Sequence, residues 1–116
     1  MAIPSGGGTE VLKRAYTNSL SNTPVTLIDG VANHIYTILS ITFCEVATAA
    51  EVLYLRVNID GGGTQINLLT NHSLPVAGTF VWNDKFVITG TDELNAYLGT
   101  TGSVDVLVTY IDQDWT

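Results

Sequence analysis

Val52-Leu53-Tyr54-Leu55-Arg56-Val57-Asn58-Ile59-Asp60 is the stretch that decides the fold. Leu53, Leu55, Val57 and Ile59 alternate with Tyr54, Arg56, Asn58 and Asp60, and a period of two sends the first set inward and the second outward on a β-strand. A helix, at 3.6 residues per turn, would mix the two sets. Asp60-Gly61-Gly62-Gly63 then supplies the positive φ values of a hairpin turn, with Gln65 to Thr70 as the return strand.

Working outward from this hairpin, short β signals recur about every ten residues. On the N-terminal side lie Glu10 to Thr17, Pro24 to Asp29, and the β-branched and aromatic run His34 to Cys44. Alternation within that run places Ile35, Thr37, Leu39, Ile41 and Phe43 on one face. Val46 to Leu53 holds three alanines but lacks a helix cap, and reads as a loop or a single turn. On the C-terminal side, Leu74-Pro75 breaks the pairing and Gly78 to Trp82 starts a new strand. Trp82-Asn83-Asp84-Lys85 reads as a tight turn into Phe86-Val87-Ile88. A short strand through Leu94, Ala96 and Leu98 follows, and a last one carries Val104, Val106, Val108 and Tyr110 on one face. The pattern predicts an all-β fold, an antiparallel β-sandwich or jelly roll of eight or nine short strands.

The length of 116 residues suits one domain. Residues 1–9, with three consecutive glycines, read as an N-terminal arm, and residues 10–116 as a single sandwich domain. A chain of this size buries roughly 65% of its unfolded surface, enough for a core without staples. Charged residues make up only 13% of the chain, against about 25% in an average globular protein. Thr, Ser, Asn and apolar groups must therefore cover much of the surface, and such a surface favours association.

The charge balance is acidic, four Lys and Arg against eleven Asp and Glu. Phosphate neutralisation needs clustered cations, and only Lys13 and Arg14 are adjacent, so neither nucleic acid nor an anionic membrane is an expected partner. Met1 to Gly8 has no basic region followed by an apolar one and does not read as a signal peptide. No apolar run approaches the ~18–20 residues that cross a bilayer. Cys44 is the single cysteine. Its apolar surroundings, Ile41-Thr42-Phe43, predict an inert buried thiol.

Each constellation that could carry chemistry fails on spacing. Gly61-Gly62-Gly63-Thr64 has neither the lysine nor the following helix of a phosphate-binding loop. His34, His72 and Cys44 are too far apart in sequence for a zinc site, and His72 reads as part of a loop. Asn58 and Asp60 start like a calcium loop, which the glycines then end. Asp112 and Asp114 read as a solvated tail. Glu45, Glu51, Asp92 and Glu93 fall at strand ends or turns, where solvent accounts for them. No catalytic residue, metal ligand or cofactor is expected. Among the aromatics, Tyr54 faces outward and Tyr110 inward. Trp115, a large ring near the C-terminus, is expected to cover a surface, on its own domain or on a neighbouring subunit.

Three stretches together resemble small structural proteins of tailed bacteriophages. They are Gly8-Thr9-Glu10-Val11-Leu12-Lys13-Arg14, then Asn33 to Ser40 with Phe43-Cys44, then Leu74-Pro75 through Asp84-Lys85-Phe86-Val87-Ile88, Gly90-Thr91-Asp92-Glu93-Leu94 and Val104-Asp105-Val106 to Gln113. The family includes head decoration (cement) proteins and small tail or fibre-base components. The resemblance covers most of the chain and marks turns and strand starts, so it carries over no catalytic residue. It implies a β-sandwich or jelly roll assembled as a homotrimer, made in the cytoplasm of a bacterial host and located in the virion. The expected function is that of a decoration protein, which binds the outer surface of the major capsid protein shell and stabilises it. Ile3 and Pro4 of the arm, with Trp115, are the expected partner-binding residues. The alternatives are a tail, adaptor or fibre-base component, and a receptor- or glycan-binding sandwich that uses exposed aromatics such as Tyr54.

Overall fold

The computed structural model describes residues 8–115. It contains nine strands: β1 (Thr9–Leu20), β2 (Val25–Asp29), β3 (His34–Glu45), β4 (Glu51–Ile59), β5 (Thr64–Leu74), β6 (Thr79–Trp82), β7 (Phe86–Thr89), β8 (Glu93–Leu98) and β9 (Val104–Asp114). They form two antiparallel sheets. Sheet A runs β1-β9-β3, with β6 and β7 both on the far side of β3, and sheet B runs β2-β8-β4-β5.

The chain pairs as one long folded hairpin: β1 with β9, β2 with β8, β3 with β6 and β7, and β4 with β5. Wound up so that β9 also pairs β3 and β8 also pairs β4, this is jelly-roll connectivity. The two inner faces close on one core. Ile38, Ile41, Phe43, Leu53, Leu55, Leu94, Ala96, Val104 and Val108 are fully enclosed there, each large aliphatic or aromatic side chain stabilising the fold by about 1.5–3 kcal/mol. The alternation of Leu53, Leu55 and Val57 survives intact, because β4 is paired on both sides.

Two expectations for sheet A need correction, and they share one cause. Tyr36 and Ile38 point into the core, not Ile35, Thr37 and Leu39. The β3–β9 register shifts between Ile38 and Ser40, so Leu39 is an extra residue in a β-bulge, after which Ile41 and Phe43 face inward as expected. Opposite the bulge, residues 83–85 are no hairpin turn. β6 pairs with residues 41–44 of β3 and β7 with residues 35–38, in the same direction. The two are segments of one edge strand, interrupted where β3 kinks, and Trp82 Nε1 donates to the Asp84 carbonyl within the interruption at 2.7 Å.

Other differences are smaller. β5 continues through Leu74 across register shifts, with Asn71 at φ 55°, and so includes His72, whose ring packs on Phe80 with centroids 4.2 Å apart. Gly8 and Thr9, assigned to the arm, belong to the domain, since Thr9 opens β1 opposite Asp114. The β4–β5 turn is as read, with Asp60 and Gly61 at φ 53° and 81°.

Candidate functional site

Strand alternation sorts the outer side chains of each sheet into cross-strand rows. On sheet A the rows run Glu10–Gln113–Ile35–Thr89, Leu12–Ile111–Thr37–Val87, Arg14–Thr109–Ser40, and Tyr16–Leu107–Thr42–Val81, ending in Asp105–Cys44–Thr79. Two apolar rows thus flank a polar centre. Ten large hydrophobic residues are exposed among the described ones, and Leu12, Tyr16, Val81, Val87 and Leu107 of this face are five of them. Leu12 is 68% and Tyr16 70% exposed. A groove of about 440 Å³ beside Tyr16 is lined by Arg14, Thr42, Cys44, Asp105 and Leu107.

Cys44 is therefore not a core thiol. Phe43 takes the inward position, and alternation sends Cys44 to the outer face, where it is half-buried. Lys13 and Arg14, adjacent in sequence, point to opposite faces of β1 and make no basic patch.

Sheet B presents a different outer face, made of Thr26–Asn95–Arg56–Asn67, Asp29–Glu93–Asn58–Gln65 and the Tyr97–Tyr54 pair. Its aromatic side chains pack on one another, while Arg56 Nε, Asn58 Oδ1 and Asn95 Oδ1 are buried without a hydrogen bond. Tyr54 and Tyr97 stack with centroids 4.8 Å apart and planes 3° apart, and the Arg56 guanidinium lies 5.0 Å from the Tyr97 centroid. Gly99 lies beside Tyr54 Cε1, where an added Cβ would come within 3.2 Å of the ring. Both rings are used within the sheet, which leaves little open aromatic face for a sugar. Asn58 and Asn95 on the same face are buried although alternation sends them outward.

At one end of the sandwich the inner face of sheet A carries an ionic cluster. Asp112, expected in a solvated tail, is buried. Lys13 Nζ donates to its Oδ2 at 2.8 Å, and His34 Nδ1 lies 2.7 Å from its Oδ1. His34 Nε2 is 3.5 Å from Asp114 Oδ1. Burial pushes the Asp112 carboxyl up, but the hydrogen bonds and charges of Lys13 and His34 outweigh it and hold the group below the usual carboxylate range. Lys13 is raised by its hydrogen bond to Asp112. Tyr36, at the same end, is raised by burial, against the Val31 N–H that donates to its Oη at 3.0 Å. The cluster ties β1 and β3 to β9.

Three further acids expected at solvated positions are buried: Glu45, Glu51 and Asp92. Glu45 accepts N–H groups from Ala77, at 2.9 Å, and from Ala47, and these hold its carboxyl below the usual range. Asp92 accepts from the N–H groups of Asp60 and Thr89, fastening two loops. Glu51 packs against Gly102, where any Cβ would collide with the carboxylate. Glu45 and Asp92 are loop clamps, found only in three dimensions because each accepts a backbone N–H from 32 residues away, whereas Glu51 Oε1 is buried without a hydrogen bond. Among the described residues no group of three His, Cys, Asp or Glu could hold a metal ion.

Trp115 packs on its own domain. Its backbone N–H donates to the Asn33 carbonyl at 3.0 Å, and its ring lies against Gly8. The indole Nε1 is buried there without a hydrogen bond. Ile3 and Pro4 lie outside the described residues.

The strand order defines the class, a jelly-roll β-sandwich. No family model and no curated protein matches the sequence. Solved structures do share the fold. A chain of infectious bursal disease virus, Gx strain, superposes with a TM-score of 0.60 at 12% identity, over 95% of this chain and 34% of that one. The present chain thus spans about a third of the length of that viral protein. A chain from Bacillus endospore appendages, a family of disulfide-linked pili, gives 0.54 at 15% identity over 100% and 97% of the two chains. One from the acid-stable capsid of Helicobacter pylori bacteriophage KHP30 gives 0.51 at 9% identity, over 92% and 93%. At these identities the likeness is one of fold.

Proposed function

We propose that the chain is a structural protein of a virus particle, a decoration protein that binds the outer surface of the major capsid shell and stabilises it as a homo-oligomer. The observation that carries this reading is the outer face of sheet A. Five of the ten exposed large hydrophobic side chains among the described residues gather on this one face, and exposed apolar groups gathered in this way serve to be covered. The jelly roll is a recurrent fold of viral capsids, and the superposition on the bacteriophage capsid chain runs nearly end to end on both sides. Attachment falls to the corner where Gly8 meets Trp115. Ile3 and Pro4, which precede Gly8 in the sequence, contact the shell together with Trp115. The role is binding, not catalysis, and needs no cofactor. The separation of Lys13 from Arg14 supports a partner other than nucleic acid or membrane.

Quantifying the chain in purified particles tests this. A decoration protein approaches the copy number of the major capsid protein, a tail or fibre-base part is scarce, and absence from particles sinks the virion reading altogether.

One observation favours a second reading, a subunit of an appendage or fibre: the end-to-end match with the endospore appendage chain. Those pili are disulfide-linked. A single Cys44 allows one bridge per chain, which makes pairs and no covalent fibre.

A further inference from the structure

We propose that the outer face of sheet A joins a second copy of this chain, sheet on sheet, about a two-fold axis parallel to the strands. The inference is independent of where in a particle the protein sits.

Charge selects the occupant. The chain carries a formal net charge of −7, so two copies repel through most of their surface. The rows of this face contain only Glu10, Arg14 and Asp105 as charged groups, a sum of −1. A second copy therefore meets little repulsion here, and since the rows of sheet B also sum to −1 with Asp29, Glu93 and Arg56, the open apolar rows are what single out this face.

Side-chain size selects the axis. The largest protruding groups, Leu12 and Tyr16, stand on β1 at one edge, and two exposed valines, Val87 and Val81, stand in the same rows at the opposite edge. An axis along the strands lays β1 of one copy over β6 and β7 of the other, and β9 over β3. Leu12 then meets Val87, Tyr16 meets Val81, Ile111 meets Thr37, and Leu107 meets Thr42. In the central row Thr109 meets Ser40, two hydroxyls that can donate to one another. The two Arg14 side chains lie at opposite edges. An axis across the strands would instead set Arg14 against Arg14, a like-charge pair. The twist of the sheets rotates the strand directions by roughly 30°, so the pairing holds row by row near the axis.

From the first row to the fifth are four spacings of about 6.8 Å, and four strands of about 4.8 Å width lie across them, so the face covers roughly 27 by 19 Å. That is about 500 Å² per copy in projection and about 1,000 Å² for the pair, the lower bound for a specific interface. The pair is accordingly one of moderate affinity. It differs from the trimer that the resemblance implies.

Sedimentation equilibrium of the full chain over a concentration series reads the result. Wild type is expected to run as a concentration-dependent dimer. Leu12→Lys alone and Val87→Asp alone each put charge into both apolar contacts and are expected to be monomeric. An equimolar mixture of the two regains the dimer, because one contact becomes Lys on Asp and the other stays Leu on Val. Tyr16→Ser, which adds no charge, weakens the wild-type dimer at least tenfold. Circular dichroism melting checks that each variant folds, and Tyr16→Ser carries the test should a charged variant fail to. A monomeric wild type, a trimer, or a dimer that neither Tyr16→Ser nor Leu12→Lys weakens overturns the proposal. Failure of the mixture to pair overturns the axis along the strands.

Discussion

The two outer faces of the sandwich are built from strands of the same kind and end in opposite states. On sheet B the aromatic centre closes on itself: Tyr54 stacks on Tyr97, the Arg56 guanidinium lies over Tyr97, and Asn58 and Asn95 are buried. On sheet A, Leu12, Tyr16, Val81, Val87 and Leu107 stand open to solvent. A sheet face can thus be finished by its own side chains or by another molecule. The first kind of face stabilises the monomer, and the second contributes only on assembly. Substitutions should therefore separate the two, face B through folding and face A through association.

The largest expected effect lies on sheet B. Tyr97→Ala removes the stack on Tyr54 and the partner of Arg56, and should cost about 2–3 kcal/mol. Thermal melting would show a fall of about 10 °C, with self-association at a given folded concentration unchanged. A loss of association without a loss of stability would reverse the assignment of the faces.

Next in size is the cluster at the end of the sandwich, which lies on neither outer face. Asp112→Ala leaves Lys13 and His34 without their shared carboxylate. Breaking a buried pair costs about 3–5 kcal/mol, and because the Lys13 side chain is 45% exposed a smaller loss of about 2 kcal/mol is expected by urea unfolding. The same cluster sets the pH limits. Asp112 and Glu45 have carboxyls held below the usual range, so their stabilisation is present above about pH 4 and is lost as the pH falls through their folded values. Lys13 and Tyr36 are raised, so theirs is present below about pH 10 and is lost as the pH rises through the folded values. The urea midpoint should be flat between these limits and fall on both sides, with a shallower acid limb in Asp112→Ala.

The smallest effect on folding is expected on sheet A. Leu12→Asp should change monomer stability by no more than about 0.5 kcal/mol, measured at concentrations too low for pairing. A loss of several kcal/mol would mean that Leu12 is already covered within the monomer.

How much of this was legible beforehand follows the continuity of pairing. β4 reads directly from Leu53, Leu55 and Val57, because its pairing with β8 is continuous and the register shifts toward β5 put their extra residues on β5. β3 misleads because the extra residue Leu39 reverses the alternation halfway, and a bulge leaves no mark in an apolar run. The same kink turns what reads as a tight turn at 82–85 into a break in one edge strand. Buried Glu45 and Asp92 were hidden for another reason: their partners are backbone N–H groups from loops 32 residues away, which any residue type supplies. The open face was half visible. Alternation places Leu12, Tyr16 and Leu107 on one side of their strands, but whether a third layer covers them depends on the tertiary fold. Low charge was the sequence's only hint that none does.

Cys44 supplies a native probe for the central claim, since its thiol lies on the outer face of sheet A. The direct measurement is its alkylation rate in dilute and in concentrated solution, beside a reference thiol placed on the other face by Thr26→Cys in a Cys44→Ser chain. The account predicts that Cys44 slows several-fold as the chain associates while the reference thiol reacts at a constant rate. Association that leaves Cys44 as reactive as before, or that protects the thiol at position 26 instead, would contradict it.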